Sequence, residues 1–458
     1  MNYDKIYFVG AGGIGMAALE RYFLARGMRV AGYDRTATAL TDALQAEGVD
    51  ITFDESAEAI NPDFRDPEST MVVYTPAIPA DHPGLNYFLN NGFKVIKRAA
   101  LLGEITRSSR SLCFAGTHGK TTTSSMAAHI LTTARVKCNA FLGGVLRNYN
   151  SNYLLSATSP YSVIEADEFD RSFHHLNPYI AVVTATDPDH LDIYGTEEAY
   201  LEAFTKFTTL IQPGGALVMH TGLKFRPEVG PDVKIYTYGR DHGDFHAANI
   251  SYENATITFD LITPKGIIAG IELGVPVDIN IDNAVAAAAA TWLTGDVTSD
   301  DIRLAMSTFK GAKRRFEFHL KEGADGRAII DDYAHHPDEV KAAISSIKAL
   351  YPGRHLTVAF QPHLYSRTRD FAHEFAEALS MADTVVLLDI YPARELPIPG
   401  VTSQIILDEI KCAKKLLISL DELPQTIKNL NFDILLTLGA GNIDSSLPQL
   451  VADATGSK

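Results

Sequence analysis

Cysteine is scarce in this chain. Cys113, Cys138 and Cys412 are odd in number, widely spaced and never in a C-x-x-C pair. That excludes a disulfide scaffold and removes the ligands of a thiolate zinc site, and it fits a reducing, cytoplasmic setting. Positive charge is also in deficit: 40 Lys and Arg stand against 56 Asp and Glu, a formal net charge of -16. Broad nucleic-acid binding needs a basic surface, so no nucleic-acid partner is expected. Small anions remain possible ligands, because N–H groups, a few cations and a metal ion suffice to hold them. No apolar run reaches ~18 residues, so no membrane insertion is expected. The first residues, MNYDKIYFVG, lack the charged start, apolar stretch and cleavage site of a secretory signal.

What is present is the composition of a folded protein: 46% hydrophobic and 21% charged over 458 residues. That length predicts two or three domains. Strand-like runs alternate with helical patterns nearly throughout, which predicts α/β domains with largely parallel sheets. Three segments open on a strand: KIYFVG, SLCFAGTHGK and GRAIIDDYAHHP. They place boundaries near residues 107 and 316, giving segments 1–107, 108–316 and 317–458. Further strands are expected in MRVAGYD, MVVYTPAIP, FKVIKRAA, YSVIEADEFD, YIAVVTATDPDH, LTVAFQPH, DTVVLLDIYPA and DILLTLGAGNI.

Gly10-Ala11-Gly12-Gly13-Ile14-Gly15 fits G-x-G-x-x-G between a strand and a helix, and Asp34 ends the next strand. This is the pattern of a dinucleotide or nucleotide-sugar turn. A nicotinamide-dependent oxidoreductase is one reading of it, and a tight turn without a ligand is another. Gly116-Thr117-His118-Gly119-Lys120-Thr121-Thr122 has the strand–loop–helix setting of a phosphate loop, but only two residues separate its glycines where the general pattern has four. Inward N–H groups and the helix start favour an anion. Lys120 can lie along the β- and γ-phosphates, and Thr121 can offer a hydroxyl to Mg²⁺. The bland alternative is a threonine-rich helix cap.

Glu165-Ala166-Asp167-Glu168 and Asp187-Pro188-Asp189-His190 end two buried strands. In open α/β sheets ligands gather at such ends, and an oxygen-rich set with one imidazole suits Mg²⁺ beside a triphosphate. Arg314-Arg315-Phe316-Glu317 reads equally as a solvated basic patch. Asp331-Asp332-Tyr333-Ala334-His335-His336-Pro337 is harder to explain by packing. Adjacent histidines lack the i, i+4 spacing of a helical zinc pair.

Taken in order, GAGGIGM, GTHGKTTT, EADEFDRSF, DPDHLDIYG, RRFE, DDYAHHP, QPHLYSRTRDF and GAGNI resemble the Mur ligases, ATP-dependent amino-acid ligases of peptidoglycan precursor synthesis. The likeness covers essentially the whole chain. It implies an N-terminal Rossmann-like domain for a UDP-sugar, a central P-loop ATPase-type parallel sheet, and a C-terminal Rossmann-like domain for the amino acid. The implied substrates are ATP, UDP-N-acetylmuramate and L-alanine, with Mg²⁺, in a cytoplasmic monomer or homodimer. A tripeptide in place of L-alanine is the alternative within the family.

By motif position, the likeness gives Gly12, Gly13, Ile14, Gly15 and Asp34 to the UDP-sugar. It gives the loop residues 116–122 to ATP, with Lys120 on the phosphates, and Thr121, Glu165 and His190 to Mg²⁺. Asn280, Asn283, Arg315 and Asp332 would contact the nucleotide. His335 and Arg367 would lie near the amino acid, His335 as a base by residue type. Departures from the family pattern are Ile279 for a histidine, Ala185 for an asparagine, Leu364 for an arginine, and Phe204 where several sister ligases carry a modified lysine.

Overall fold

The computed structural model describes residues 3–456 apart from 76, 189–190, 254–255, 322–325, 394 and 431. The chain divides into two compact units. One comprises Met1–Ala248, Asp260–Ala269 and Asp282–Met306, and the other Asn249–Phe259, Gly270–Ile281 and Ser307–Lys458.

The first unit begins with β1 (Lys5–Val9), β2 (Arg29–Tyr33), β3 (Asp50–Thr52), β4 (Thr70–Tyr74) and β5 (Lys94–Lys97). They form a parallel sheet in the order β3-β2-β1-β4-β5. β1 and β4 are buried along nearly their whole length, as apolar runs in a two-sided parallel sheet must be. The order reverses at β1, and open parallel sheets place their ligands at the C-terminal ends of the strands at such a point. The glycine turn lies there and leads into α1 (Ile14–Leu24). A second helix, α2 (Arg98–Arg107), follows β5 directly.

The same unit contains β6 (Arg110–Ala115), β7 (Asn139–Leu146), β8 (Ser151–Leu154), β9 (Tyr161–Glu165), β10 (Ile180–Val183), β11 (Ala216–His220) and β12 (Lys234–Gly239). Their order is β12-β11-β10-β6-β9-β7-β8, parallel except for β8. β6 is flanked by β10 and β9, so the loop after it emerges between two strand ends. That loop runs into α3 (Lys120–Thr133). One apolar core serves both sheets: Phe8, Met16 and Leu19 belong to the same buried cluster as Cys113, Phe173 and Phe204. Tyr22 of α1 meets Phe141 of β7 with ring centroids 5.5 Å apart. In α4 (Glu197–Thr208), Phe204 is fully buried against Phe173 and Tyr200, at 5.4 and 5.2 Å. The position of the sister ligases' modified lysine is therefore aromatic core.

Three further strands, β13 (Phe245–Glu253), β14 (Thr256–Thr263) and β15 (Gly266–Glu272), precede α5 (Ile279–Trp292). β14 alternates buried and half-buried side chains along its length, a strand pattern not marked among the apolar runs above.

The second unit holds a six-stranded sheet of β16 (Glu317–Lys321), β17 (Ala328–Asp332), β18 (Leu356–Phe360), β19 (Thr384–Leu388), β20 (Lys414–Ile418) and β21 (Ile434–Leu438). Its order is β16-β17-β21-β18-β19-β20, with only β16 antiparallel. α6 (Pro337–Leu350) starts where Pro337 occupies a first-turn position that needs no N–H donor. α7 (Tyr365–Asp370) follows β18. The three cysteines are free, Cys113 and Cys138 buried. Among the described residues no helix is long and apolar enough to cross a membrane.

Candidate functional site

The shortened Gly116–Thr121 loop is closely walled by the segments beside it. Gly116 has φ +135°, and a methyl there would lie 2.2 Å from Thr184 Oγ1 and 2.7 Å from the Ala185 nitrogen. Gly119 has φ +82°, with Asn283 Oδ1 2.7 Å from where its methyl would be. Both positions therefore exclude a side chain by conformation and by space. Thr117 ties the loop to the segment after β10: its N–H donates to Ala185 O at 3.1 Å and its hydroxyl to Asp187 O at 2.7 Å. The same hydroxyl meets Tyr200 Oη at 2.9 Å. From α5, Asn283 Oδ1 accepts from Thr123 Oγ1 at 3.1 Å. Asn283 thus braces the loop's helix. Asn280 Nδ2 donates to Val275 O at 3.1 Å within the second unit.

Lys120 opens α3 and folds back over the loop, donating to Gly116 O at 2.6 Å and to Glu168 Oε1 at 2.9 Å. Glu168 lies just beyond β9 and is buried. Burial pushes its carboxyl above the usual range, against the pull of the Lys120 charge. Thr121 Oγ1 donates to Glu165 Oε1 at 3.0 Å, and Glu165 Oε2 accepts the Gly143 N–H at 2.9 Å. The loop and the end of β9 are thus in direct contact. His118 and Thr122 stand in the same loop and first turn. His190 lies outside the described residues, and among those described no group of three or more His, Cys, Asp or Glu is arranged to hold a metal. Thr121 and Glu165 nonetheless supply hard oxygen donors of the type Mg²⁺ takes.

At the glycine turn after β1, Asp34 Oδ2 accepts the Gly12 N–H at 2.6 Å, so this carboxylate shapes the turn itself. Gly10, at φ +97°, makes the bend. Gly13 caps α1 without a side-chain bond, and Ile14 is exposed at its start. A methyl on Gly15 would lie 2.2 Å from Arg98 Nη1. Arg98 is half-buried, and among the described residues no hydrogen bond or ion pair reaches its guanidinium. A cation at the positive end of a helix is unfavourable alone and favourable once an anion lies between them. Arg98 is 83 residues from Gly15 in sequence, so no motif links the two.

In the second unit, Arg314 and Phe316 take left-handed backbone conformations at φ +56° and +49°. Arg314 pairs with Asp331 at 3.1 Å and donates to the Gly441 carbonyl at 2.8 Å, so it is spent on structure. Arg315 lies over the Tyr333 ring, 5.4 Å from its centre. Asp332 accepts the Phe316 and Ala334 N–H groups at 2.7 and 2.8 Å. Its carboxyl is pushed up to about 6 by burial, with Arg315 pulling the other way.

His335 Nδ1 faces Tyr333 O at 2.9 Å. A carbonyl only accepts, so Nδ1 carries the proton and Nε2 keeps the lone pair. Burial lowers the His335 pKa, and Glu339 opposes this from 3.4 Å. Glu339 also accepts the His335 and His336 N–H groups, which holds the HHP corner in place. His363 lies 6.1 Å from His335, ring to ring, and stacks on Tyr391. Arg367 is on α7, and its Nη1 is buried without a hydrogen-bond partner among the described residues. Leu364 caps α7 at φ +72°. DDYAHHP and QPHLYSR, separate motifs in the chain, thus meet around His335 and His363.

Comparison with known proteins agrees across the chain. Residues 5–110 match the family model described as "Mur ligase family, catalytic domain", 114–291 the Mur ligase middle domain, and 314–441 "Mur ligase, glutamate ligase domain". A protein of Phocaeicola vulgatus named UDP-N-acetylmuramate–L-alanine ligase is 54% identical over 447 residues, covering 97% of each chain. One of the same name from Parabacteroides distasonis is 56% identical, covering 96% of this chain and 95% of that one. The crystal structure of UDP-N-acetylmuramate-alanine ligase from Thermotoga maritima superposes with a TM-score of 0.79 at 27% identity, covering 99% of this chain and 100% of that one.

Proposed function

The chain belongs to the Mur ligase family, and from that premise we propose that it joins L-alanine to the muramic acid carboxylate of UDP-N-acetylmuramate, with ATP cleaved to ADP and phosphate. It is a ligase of peptidoglycan precursor synthesis. The observation that carries the chemistry is the Gly116–Thr121 loop set against Glu165 and Glu168, a lysine and a hydroxyl at a helix start beside two strand-end carboxylates. A nicotinamide-dependent oxidoreductase would leave that loop without a role. The segments 1–107, 108–316 and 317–458 would serve the UDP-sugar, ATP and the amino acid in turn, in the cytoplasm.

A carboxylate does not condense with an amine at neutral pH, because oxide is a poor leaving group. The carboxylate oxygen first attacks the γ-phosphorus of ATP, forming an acyl phosphate and releasing ADP. The alanine amine then attacks the acyl carbon, and inorganic phosphate departs. The first step brings two anions together. Lys120 and the N–H groups at the start of α3 would face the charge that develops on the phosphates and so lower that barrier. Thr121, Glu165 and His190 would hold Mg²⁺, which supplies further charge neutralisation on the phosphates when bound.

At the amino-acid end, His335 Nε2 is the group free to take the proton from the alanine ammonium. Its lowered pKa keeps it unprotonated at neutral pH. Arg367, whose Nη1 has no hydrogen-bond partner among the described residues, would meet the amino-acid carboxylate in place of the arginine that Leu364 replaces. At the first glycine turn, the α1 N–H groups and Arg98 would hold the UDP diphosphate.

The test is phosphate release with ATP, Mg²⁺ and UDP-N-acetylmuramate, comparing L-alanine with glycine, L-serine and the tripeptide. Release that depends on L-alanine is expected. Release that answers only to the tripeptide would replace this reading with that of a recycling ligase.

A further inference from the structure

Glu168 is 1% exposed and pairs with Lys120, yet no step of the chemistry above has been assigned to its carboxylate. Its Oε1 is 2.9 Å from Lys120 Nζ, and its Oε2 has no hydrogen-bond partner among the described residues. An ammonium has three donors. Those of Lys120 point to Gly116 O at 2.6 Å, Thr117 O at 3.4 Å and Glu168. The two carbonyls belong to the phosphate loop itself, Gly116 and Thr117. Glu168 is the only one of the three partners outside that loop.

For affinity alone, this carboxylate is misplaced. A negative charge in contact with the ammonium that faces ATP weakens attraction for a polyphosphate. A geometric role accounts for it. The backbone around Glu168 is firmly tied: its carbonyl accepts the Arg171 N–H at 3.0 Å and the Tyr194 hydroxyl at 2.5 Å. Asp170 and Arg171 turn the chain away through left-handed conformations at φ +49° and +55°. Phe173 N–H then returns to Asp167 O at 2.9 Å, and its ring stacks on Phe207 in the core, 5.0 Å between centres. A carboxylate on such a tied corner can fix the direction of a long, rotatable side chain.

We propose that Glu168 is the positioning residue for Lys120. It holds the ammonium on the line along which the γ-phosphoryl group moves, at a cost in ATP affinity. The Lys120 donor now on Thr117 O, the longest of the three contacts, is the one that turns to the phosphate, while Glu168 remains bound. This rests on the ligase reading above and adds a residue to its first step.

Two variants test it in the full-length protein. Glu168→Gln keeps the shape and removes the charge; Glu168→Asp keeps the charge. Binding of the non-hydrolysable β,γ-imido analogue of ATP with Mg²⁺ is measured by calorimetry, and turnover by L-alanine-dependent phosphate release. In Glu168→Gln the analogue should bind about 3- to 10-fold more tightly, because a repelling charge is gone. Its kcat should fall about 100-fold, as for a misaimed reacting group. Glu168→Asp should recover most of kcat with wild-type analogue affinity. Weaker binding together with lower kcat would overturn the proposal in favour of a structural role, as would an unchanged kcat. A higher Mg²⁺ requirement without tighter analogue binding would overturn it in favour of a metal ligand. Wild-type turnover tests the ligase reading separately: its absence would sink that reading, whereas the analogue affinities judge the Lys120–Glu168 coupling by themselves.

Discussion

Replacing Gly116 with alanine should be among the most damaging single changes in the loop, and the structure says why. At φ +135° the backbone is in a region that costs an L-residue about 1–3 kcal/mol. The added methyl would lie 2.2 Å from Thr184 Oγ1, 2.7 Å from the Ala185 nitrogen and 2.9 Å from its oxygen. Two of these three atoms are main chain, so a rotamer change gives no relief. Overpacking of this kind costs about 1–3 kcal/mol more. The sum, roughly 2–6 kcal/mol, must appear either as a loop pushed off the β10 end or as lost stability. Calorimetric binding of an ATP analogue and thermal unfolding read the two separately. The expected result is a loss of analogue affinity of at least about tenfold, the equivalent of 1.4 kcal/mol, with UDP-sugar binding largely intact. Gly119→Ala is the internal control. Its closest neighbour is a side-chain atom, Asn283 Oδ1 at 2.7 Å, which can move aside. It should cost less, and the double variant with Asn283→Ala should recover part of the loss. A Gly116→Ala protein with wild-type Tm and analogue affinity, or one less affected than Gly119→Ala, would show that these contacts do not constrain the loop.

Three further outcomes follow from the other groups. Gly15→Ala should raise the KM for UDP-N-acetylmuramate about tenfold by displacing Arg98, and should add little in an Arg98→Ala background; equal effects in both backgrounds would remove the coupling. For His335, the lowered pKa places loss of the free base below the usual histidine range, so kcat/KM should fall only as pH drops through that lowered value. His335→Ala should slow amide formation by about 100-fold or more while ATP binding is unchanged; near-normal turnover would exclude it as the base. For Asp332, a folded-state pKa raised to about 6 favours the neutral acid, so the stability it contributes is present below its unfolded value and lost as pH rises through about 6. The Tm of Asp332→Asn relative to wild type should therefore improve from about pH 4.5 to about pH 7.5, and a difference that stays flat would contradict the shift.

The parts of this site that could be read from sequence are those whose constraints are local. A glycine beside a strand end, a lysine opening a helix and acids closing β9 each declare themselves within about ten residues. The short spacing of Gly116 and Gly119 looked anomalous because its cause is remote: Thr184, Ala185 and Asn283 supply the walls. Arg98 at Gly15 and Glu168 at Lys120 escaped for the same reason, since their meaning depends on which strands become neighbours. Asp34 was recognised as a strand-end acid, but its bond to the Gly12 N–H appears only in three dimensions. Strands buried on both faces, such as LTVAF and TVVLL, are plain apolar runs and were legible. KKLLI in β20 was passed over, its two lysines masking a sheet-edge strand.

The most direct measurement is release of inorganic phosphate by the wild-type protein with ATP, Mg²⁺ and UDP-N-acetylmuramate, with and without L-alanine, with the UDP-linked product followed by mass. Release is expected only when all substrates are present, with one phosphate per amide formed and none from Lys120→Ala. Phosphate release indifferent to L-alanine, or amide formation by Lys120→Ala at the wild-type rate, would contradict the proposed function.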